Sequence, residues 1–395
     1  MKILILNPRI DEFKLPDVHL KVFAENHSGT MFPRILGIAE FYFSKKNSVE
    51  IYDENNNEII EDFKEFDWII AYVDFNTEIR ISKIYKSIIE TDTKILGIGK
   101  TATLTPFFVS KFLHLCVSCE IEAIFEELEI IMKDFMEPQI LEISGRNHEI
   151  SFPRWGKLPL KHELIPFELG RGCKSKCEFC PTPKIFPGNK INRKIEDISE
   201  EIELLKQLDN NSPLILLDDD FLADQDFAIE FFEIIKDFKN GFIGKTCLRN
   251  LENFDIDIFP ENLKSLAVVA RFSDGHEVPG IKEKEILIKL AKKRIKVELI
   301  IIVGFRNDCK NILEKWINFV DDLPVLKICI IPIIPIPGTP DFEICGLHFK
   351  RDQMRLLQSS VSMTNYTMDE YLEFISEVDE IIRTKSLKSF KTSLV

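Results

Sequence analysis

Three cysteines lie close together near the middle of the chain with the spacing C-x3-C-x2-C. They are Cys173, Cys177 and Cys180. Thiolates packed into one short loop can hold three corners of a four-iron, four-sulfur cluster, which leaves the fourth iron open for a ligand that is not protein. A structural zinc site uses four closed ligands, usually from two C-x2-C pairs, and no second pair follows nearby. Three cysteines also cannot all pair as disulfides among themselves. The spacing therefore favours an iron–sulfur cluster over zinc.

The composition is that of a folded chain with more than one domain. The chain has 395 residues, of which 45% are hydrophobic and 29% are charged, and this length predicts about two domains. The formal net charge of -14 disfavours a broad nucleic-acid-binding face, because such a face needs clustered Lys and Arg. No apolar run reaches the roughly 18–20 residues of a membrane span, and the apolar start Met1–Leu6 is too short for a signal peptide. We therefore expect a cytoplasmic protein that does not insert into membranes.

Two series of alternating strands and helices predict an α/β fold. The first series has predicted strands at 2–6, 49–52, 68–73 and 94–98 and a helix at 33–43, an order that implies a parallel, doubly wound sheet. The stretch 136–163 lacks periodicity and contains prolines, which is typical of a linker. The second series begins from Phe167 and has predicted strands at 213–217, 242–246, 265–270, 297–303 and 326–334, with helices between them. Such a series suits a partial barrel of β/α units, and a helical segment at 346–395 would follow it.

Candidate ligand-binding residues follow the predicted barrel strands. Asp218 and Asp219 form an acidic turn at the end of one strand, where barrels bind their ligands, although a solvated turn or a metal site would have the same pattern. Gly304 ends another strand and permits close approach of a ligand to the backbone. The last strand leads into Pro335–Pro340, in which the prolines fix an irregular exit and Gly338 allows a sharp turn. This turn would either close the substrate face or serve as a rigid loop.

The cysteine spacing, with the aromatic Phe179 just before the last cysteine, resembles that of the radical S-adenosylmethionine (SAM) superfamily. The resemblance implies that Cys173, Cys177 and Cys180 hold a 4Fe–4S cluster whose open iron binds SAM. Reduction of the cluster then cleaves SAM to methionine and a 5′-deoxyadenosyl radical. The backbone of Phe179 would lie against the adenine of SAM.

The resemblance also assigns roles to the candidates on the barrel strands. Asp218 or Asp219 would bind the methionine amino group of SAM, and the strand ending in Gly304 would pack on the adenine. Arg271 or Ser273 would bind the ribose or the carboxylate of SAM. Arg249, which follows Cys247, is a similar candidate for binding the ribose or the carboxylate of SAM.

The sequence P-x-P-G-T-P at 335–340 resembles a signature of one subgroup, whose members carry an N-terminal cobalamin-binding domain. The order of strands and glycine turns in the first half agrees with that subgroup. The resemblance implies cobalamin contacts from Asn7, Gly97, Gly99 and Thr101. The subgroup's usual Gly-Gly turn is replaced here by Gly97-Ile98-Gly99, and its later Gly-Glu turn lacks the glycine.

The resemblance implies four segments: a cobalamin-binding-like Rossmann domain at 1–135, a linker at 136–163, a radical SAM partial barrel at 164–345 and a helical segment at 346–395. The leading hypothesis is cobalamin-dependent methylation of an unactivated carbon. One alternative is radical SAM cyclisation, rearrangement or SAM-fragment transfer without methylcobalamin, and another is a non-catalytic iron–sulfur protein. The implied partners are a small-molecule substrate and a reducing electron donor such as flavodoxin or ferredoxin.

Overall fold

The computed structural model describes most of the chain up to residue 345. The described residues are 1–345 apart from 11–31, 76, 119, 143–149, 159–162, 176, 187–189, 209–210, 272–279, 306, 309, 321–322, 324–326 and 334–335, together with Ser376 and Glu380. The predicted helical segment at 346–395 therefore lies outside the described residues, apart from those two. No helix in the described part of the chain is long and apolar enough to cross a membrane.

The described residues form two compact units. The first contains the described residues of Met1–Phe13, His27–Gly172 and Pro181–Ser212, and the second contains Cys173–Cys180 and the described residues from Pro213 onward. The described residues of Pro181–Ser212, which follow the cysteine loop in the sequence, are grouped with the first unit.

A six-stranded parallel sheet forms the centre of the first unit. Its strands are β1 (Lys2–Asn7), β2 (Ser48–Asp53), β3 (Trp68–Tyr72), β4 (Lys94–Ile98), β5 (Leu115–Val117) and β6 (Gln139–Leu141), in the order β2-β1-β3-β4-β5-β6. In β1 the residues from Ile3 to Leu6 are almost fully buried, as expected for a parallel strand covered on both faces. The strand order reverses at β1, because β2 lies on one side of β1 and β3 to β6 lie on the other. Sheets of this kind bind ligands at the point where the strand order reverses.

Helices connect most of these strands. They are Arg34–Phe43, Glu78–Ile88, Lys100–Leu104, Pro106–Val109 and Phe125–Lys133. The helix and the four strands predicted for this half are confirmed. The strands β5 and β6 were missed because each has only three residues, too few to show a periodic pattern. The strand β6 lies inside the predicted linker 136–163.

Three further strands of the first unit lie around the cysteine loop in the sequence: β7 (Ile165–Phe167), β8 (Gly170–Arg171) and β9 (Ile191–Asn192). The strands β8 and β9 pair in antiparallel fashion. Gly170 is required in this pair, because a Cβ atom there would lie 2.4 Å from the carbonyl oxygen of Ile191. The helix Ile195–Lys206 follows β9.

A buried ion-pair network holds the first unit together, and Glu201 is its centre. This side chain is fully buried and accepts hydrogen bonds from Arg34 Nη2 at 2.9 Å, from Arg193 Nη1 at 2.7 Å and from Trp155 Nε1 at 2.7 Å. Glu168 extends the network, since its Oε2 lies 3.3 Å from Arg34 Nε.

Arg171 joins the network at the residue that ends β8. Its Nη2 lies 3.0 Å from Glu168 Oε2 and 2.9 Å from Glu122 Oε1, and its Nη1 contacts Glu120. Burial lowers the pKa of Arg171, but the surrounding glutamates outweigh that effect and raise the pKa well above its ordinary value. This guanidinium is therefore always charged, and its charge is compensated inside the protein.

His114 links β4 to β6. Its Nδ1 accepts a hydrogen bond from the backbone N–H of Ile95 at 3.1 Å, and its carbonyl oxygen accepts one from the N–H of Gln139 at 3.0 Å. Burial, helped by the nearby charge of Lys94, lowers the pKa of His114 to about 4. A protonated ring could not accept the bond from Ile95, so the fold requires the neutral form.

We expect the contribution of His114 to stability to be pH-dependent. As the pH falls below the ordinary histidine value of 6.5, the unfolded chain takes up a proton that the folded chain does not, so stability is lost down to about pH 4. Replacement with Asn keeps a hydrogen-bond acceptor that does not titrate. Urea unfolding at about pH 7 and about pH 5 should show a larger loss in the wild type than in His114→Asn. Equal losses in both proteins would contradict this assignment.

The second unit contains five parallel strands that lie side by side in chain order: β10 (Leu214–Leu216), β11 (Phe242–Cys247), β12 (Leu263–Arg271), β13 (Lys296–Val303) and β14 (Lys327–Pro332). The helices Gln225–Ile235, Leu248–Leu251, Ile281–Lys292 and Lys310–Val320 lie between them in sequence, and Pro340–Cys345 follows β14. Strands that neighbour each other in sequence order form the wall of a β/α barrel. The predicted α/β fold class is therefore confirmed.

Candidate active site

The cysteine loop belongs to the second unit and begins after Gly172, which has a φ of 85°. A left-handed backbone favours glycine here because it has no Cβ atom. The three thiols are all partly exposed, and among the described cysteines none forms a disulfide. The N–H of Cys180 donates to the carbonyl oxygen of Cys177 at 3.1 Å, and the N–H of Ser175 donates to Cys173 Sγ at 3.4 Å. One short turn therefore presents three sulfurs.

The three thiols influence each other electrostatically. Burial, together with the neighbouring Cys180 and Cys173, raises the pKa of Cys177 to about 11. Within the described residues, no group of three or more His, Cys, Asp or Glu side chains is placed to hold a single metal ion. In a 4Fe–4S cluster each thiolate binds a different iron, so the sulfurs need not converge on one point.

Phe179 anchors the cysteine loop on an apolar patch formed by Ile300, Ile302, Phe305 and Ile333. All four patch residues are buried. The rings of Phe179 and Phe305 meet edge to face, with their centroids 5.8 Å apart. The patch comes from β13 and from the residues that follow β13 and β14. The structure thus places Phe179 beside β13, which Gly304 follows.

Gly304 sits in a tight turn that Asp308 holds. Gly304 has a φ of 97°, and its N–H donates to Asp308 Oδ2 at 2.8 Å, as the N–H of Phe305 does at 3.1 Å. Asp308 is almost fully buried. Sequence reasoning missed this aspartate, although an Asp four residues after a strand-ending glycine is a recognisable turn signal.

The three aspartates of the acidic turn after β10 differ in their burial and in their contacts. Asp218 is buried, whereas Asp219 is partly exposed and lies 3.5 Å from Lys245 Nζ. The carboxylate of Asp220 is buried and accepts hydrogen bonds from Thr246 Oγ1 at 2.8 Å and from Asn250 Nδ2 at 2.6 Å. Asp220, which sequence reasoning did not select, therefore ties the turn to β11 and to the short helix after it.

Arg249 lies on the short helix Leu248–Leu251 after β11, and its Nη2 donates to the hydroxyl of Ser175 inside the cysteine loop. Arg271 is the last residue of β12. Ser273 lies outside the described residues. Of these three candidates, Arg249 is thus the one with a described contact to the loop.

The turn after β14 also reaches the cysteine loop. Gly338 has a φ of 84°, and Thr339 Oγ1 donates to the carbonyl oxygen of Ile336 at 2.7 Å. The N–H of Asp341 then donates to the carbonyl oxygen of Glu178 at 3.4 Å. The turn therefore supports the backbone beside Phe179.

The four predicted cobalamin residues, which lie in the first unit, are held by contacts within that unit. Asn7 Nδ2 donates to Asp53 Oδ1 at 2.8 Å, and Thr101 is fully buried. A Cβ atom at Gly97 would lie 2.5 Å from Leu113 Cδ1. A Cβ atom at Gly99, whose φ is 123°, would lie 2.8 Å from the carbonyl oxygen of Val73 and 2.9 Å from Tyr72 Cε2. Each of these four residues thus packs closely within the first unit, and their contacts with a corrin stay a prediction.

The fold of this chain is similar to the folds of several solved structures. No protein-family model matches the chain, and no curated protein sequence matches it. The radical S-adenosylmethionine methyltransferase TsrM from Kitasatospora setae, solved with its tryptophan substrate and a SAM analogue, has a TM-score of 0.65 at 13% identity over 88% of this chain and 76% of TsrM. TsrM with cobalamin and a [4Fe-4S] cluster gives a TM-score of 0.63 at 12% identity over 88% of this chain and 78% of TsrM.

A third solved structure also has a similar fold. The cobalamin-dependent S-adenosylmethionine radical enzyme OxsB, with aqua-cobalamin and S-adenosylmethionine bound, has a TM-score of 0.58 at 13% identity. It matches 96% of this chain, which spans 61% of the length of OxsB. This chain therefore has the fold of the radical SAM enzymes that carry a cobalamin-binding domain, as the sequence resemblance predicted.

Proposed function

We propose that this protein is a radical SAM enzyme in which Cys173, Cys177 and Cys180 hold a 4Fe–4S cluster. The observation that carries the proposal is the loop itself, because its three partly exposed thiols lie on one turn that Phe179 fixes to an apolar patch. The shared fold supports the same reading. When bound, the cluster and SAM would supply a 5′-deoxyadenosyl radical that abstracts hydrogen from a substrate.

The protein's own residues would bind SAM and shield it from water. Phe179 and the turn at Gly304 would pack on the adenine, and the adjacent patch residues would exclude water from the reacting atoms. Asp218 or Asp219 would accept hydrogen bonds from the methionine amino group. Arg271 and Ser273 remain the proposed contacts of the SAM ribose or carboxylate.

Anaerobic reconstitution tests this proposal. The protein is supplied with iron and sulfide, and its iron content is measured. It is then reduced in the presence of SAM, and 5′-deoxyadenosine is measured by chromatography. We expect about four iron atoms per chain and reductive formation of 5′-deoxyadenosine. A loaded cluster that releases no 5′-deoxyadenosine under any reducing condition with SAM and substrate would favour a non-catalytic iron–sulfur protein.

The more specific function that we propose is cobalamin-dependent methylation of an unactivated carbon. Its support is the fold shared with cobalamin-bound TsrM and OxsB. Bound cobalamin would supply the methyl group. Asn7, Gly97, Gly99 and Thr101 of the first unit remain the proposed contacts of the corrin. Corrin absorbance after incubation with cobalamin and gel filtration tests this point.

The close packing of Gly97 and Gly99 favours a second candidate, a radical SAM reaction without methylcobalamin. Gly97, within β4, packs against Leu113, and Gly99, just after β4, packs against Tyr72. Release of 5′-deoxyadenosine by a protein that retains no corrin would support cyclisation, rearrangement or transfer of a SAM fragment. In both candidates the substrate is a small molecule, the electron donor is a flavodoxin or a ferredoxin, and the reaction takes place in the cytoplasm.

A further inference from the structure

Arg249 reaches the cysteine loop from the end of β11. Its guanidinium Nη2 donates to the hydroxyl of Ser175, which lies between Cys173 and Cys177 in the sequence. The backbone N–H of the same serine donates to Cys173 Sγ at 3.4 Å. Ser175 thus accepts a hydrogen bond from Arg249 through its hydroxyl and donates one to Cys173 Sγ through its backbone N–H.

Arg249 brings a positive charge to the loop, because its guanidinium contacts the hydroxyl of Ser175. A cation beside a sulfur favours the more negative state of that sulfur. Arg249 is exposed, so its effect on the loop depends on ionic strength.

We propose that Arg249, acting with Ser175, is a positioning residue that favours reduction of the cluster. The inference rests on the proposed function. In the step concerned, one electron passes from a reduced flavodoxin or ferredoxin to the cluster, and no bond forms or breaks. The electron adds negative charge to a site that already contains three thiolates. A nearby cation and an N–H···S hydrogen bond both stabilise that added charge, and hydrogen bonds to sulfur and net charge are known determinants of cluster potential.

This role differs from the role that sequence resemblance suggested for Arg249. A residue that binds SAM would change the affinity for SAM and leave the SAM-free cluster unaffected. A residue that favours reduction would change the cluster even when SAM is absent. A measurement on the reconstituted protein without SAM therefore distinguishes the two roles.

The test compares redox titrations of the SAM-free cluster, followed by electron paramagnetic resonance. Arg249→Gln removes the charge, Arg249→Lys keeps it, and Ser175→Ala removes the hydroxyl that Arg249 holds. Lys236→Gln is the matched control, because it removes one positive charge from an exposed ion pair with Glu233 on a helix of the same unit. Iron content is measured for each protein, so that loss of cluster is distinguished from a change in its potential.

We expect Arg249→Gln to reduce the ratio of reduced to oxidised cluster about tenfold at a fixed potential, which for a one-electron couple is a shift of about 59 mV to lower potential. Arg249→Lys and Ser175→Ala should give smaller shifts in the same direction, and the shift of Arg249→Gln should shrink at high salt. A potential equal to that of Lys236→Gln, with or without weaker SAM binding, would overturn the inference. A wild-type protein that binds no cluster would overturn the proposed function as well.

Discussion

Replacing Cys177 with Ala is expected to leave a folded protein that binds no 4Fe–4S cluster and forms no 5′-deoxyadenosine. Cys177 is the middle thiol of the loop and is half-buried between Cys173 and Cys180. Two thiolates that remain on one side of a cluster leave a second iron open, and such a cluster is easily lost. Iron analysis and the absorbance of the reconstituted protein measure the first effect, and chromatography measures the second.

Cys116→Ala is the matched control for this experiment. Cys116 is fully buried in β5, where its Sγ lies 3.7 Å from the carbonyl oxygen of Ala102, and it belongs to the first unit. Its loss removes one thiol from the chain without touching the cysteine loop. We expect this variant to bind iron as the wild type does. An intact cluster in Cys177→Ala, or its loss in Cys116→Ala, would refute the assignment of the three ligands.

Replacing Glu201 with Gln is expected to destabilise the protein by about 3–5 kcal/mol, the cost of removing one member of a buried ion pair. The change keeps the shape of the side chain but leaves the charges of Arg34 and Arg193 without their shared carboxylate. Urea unfolding followed by tryptophan fluorescence measures the effect, and Trp155 reports on this site because its Nε1 donates to Glu201.

Glu233→Gln provides the comparison for the buried pair. Glu233 and Lys236 form an ion pair in which both side chains are mostly exposed, with relative accessibilities of 71% and 54%. Exposed pairs contribute little, so we expect a loss below about 1 kcal/mol. If the free energies of unfolding of the two variants fell by the same small amount, the network around Glu201 would not carry the stability that its burial implies.

The sequence predicts the long strands well because their physical signal is local. In β1 and β13, runs of Ile and Leu mark strands that are covered on both faces. The three-residue strands β5 and β6 are too short to show such a run, and they were missed. The spacing of the three cysteines could also be read from the sequence, because all three lie within one short loop.

Long-range contacts are what the sequence does not reveal. Arg34 and Glu201 are 167 positions apart, and each has the appearance of an ordinary surface charge on a helix. Similarly, the contact of Arg249 with Ser175 joins residues 74 positions apart. The sequence analysis selected Asp218 and Asp219 and not Asp220. Only the fold shows that Thr246 and Asn250 donate hydrogen bonds to Asp220.

The unequal burial of the cysteines has a consequence for their reactivity. Alkylating reagents attack the thiolate of an accessible cysteine, and the loop thiols are partly exposed whereas Cys116 and Cys247 are buried. Among the loop thiols Cys177 should react slowly near neutral pH, because its pKa is raised to about 11. A bound cluster would block all three. Brief alkylation of Cys173 and Cys180, measured by mass spectrometry, would therefore report the fraction of molecules that carry no cluster.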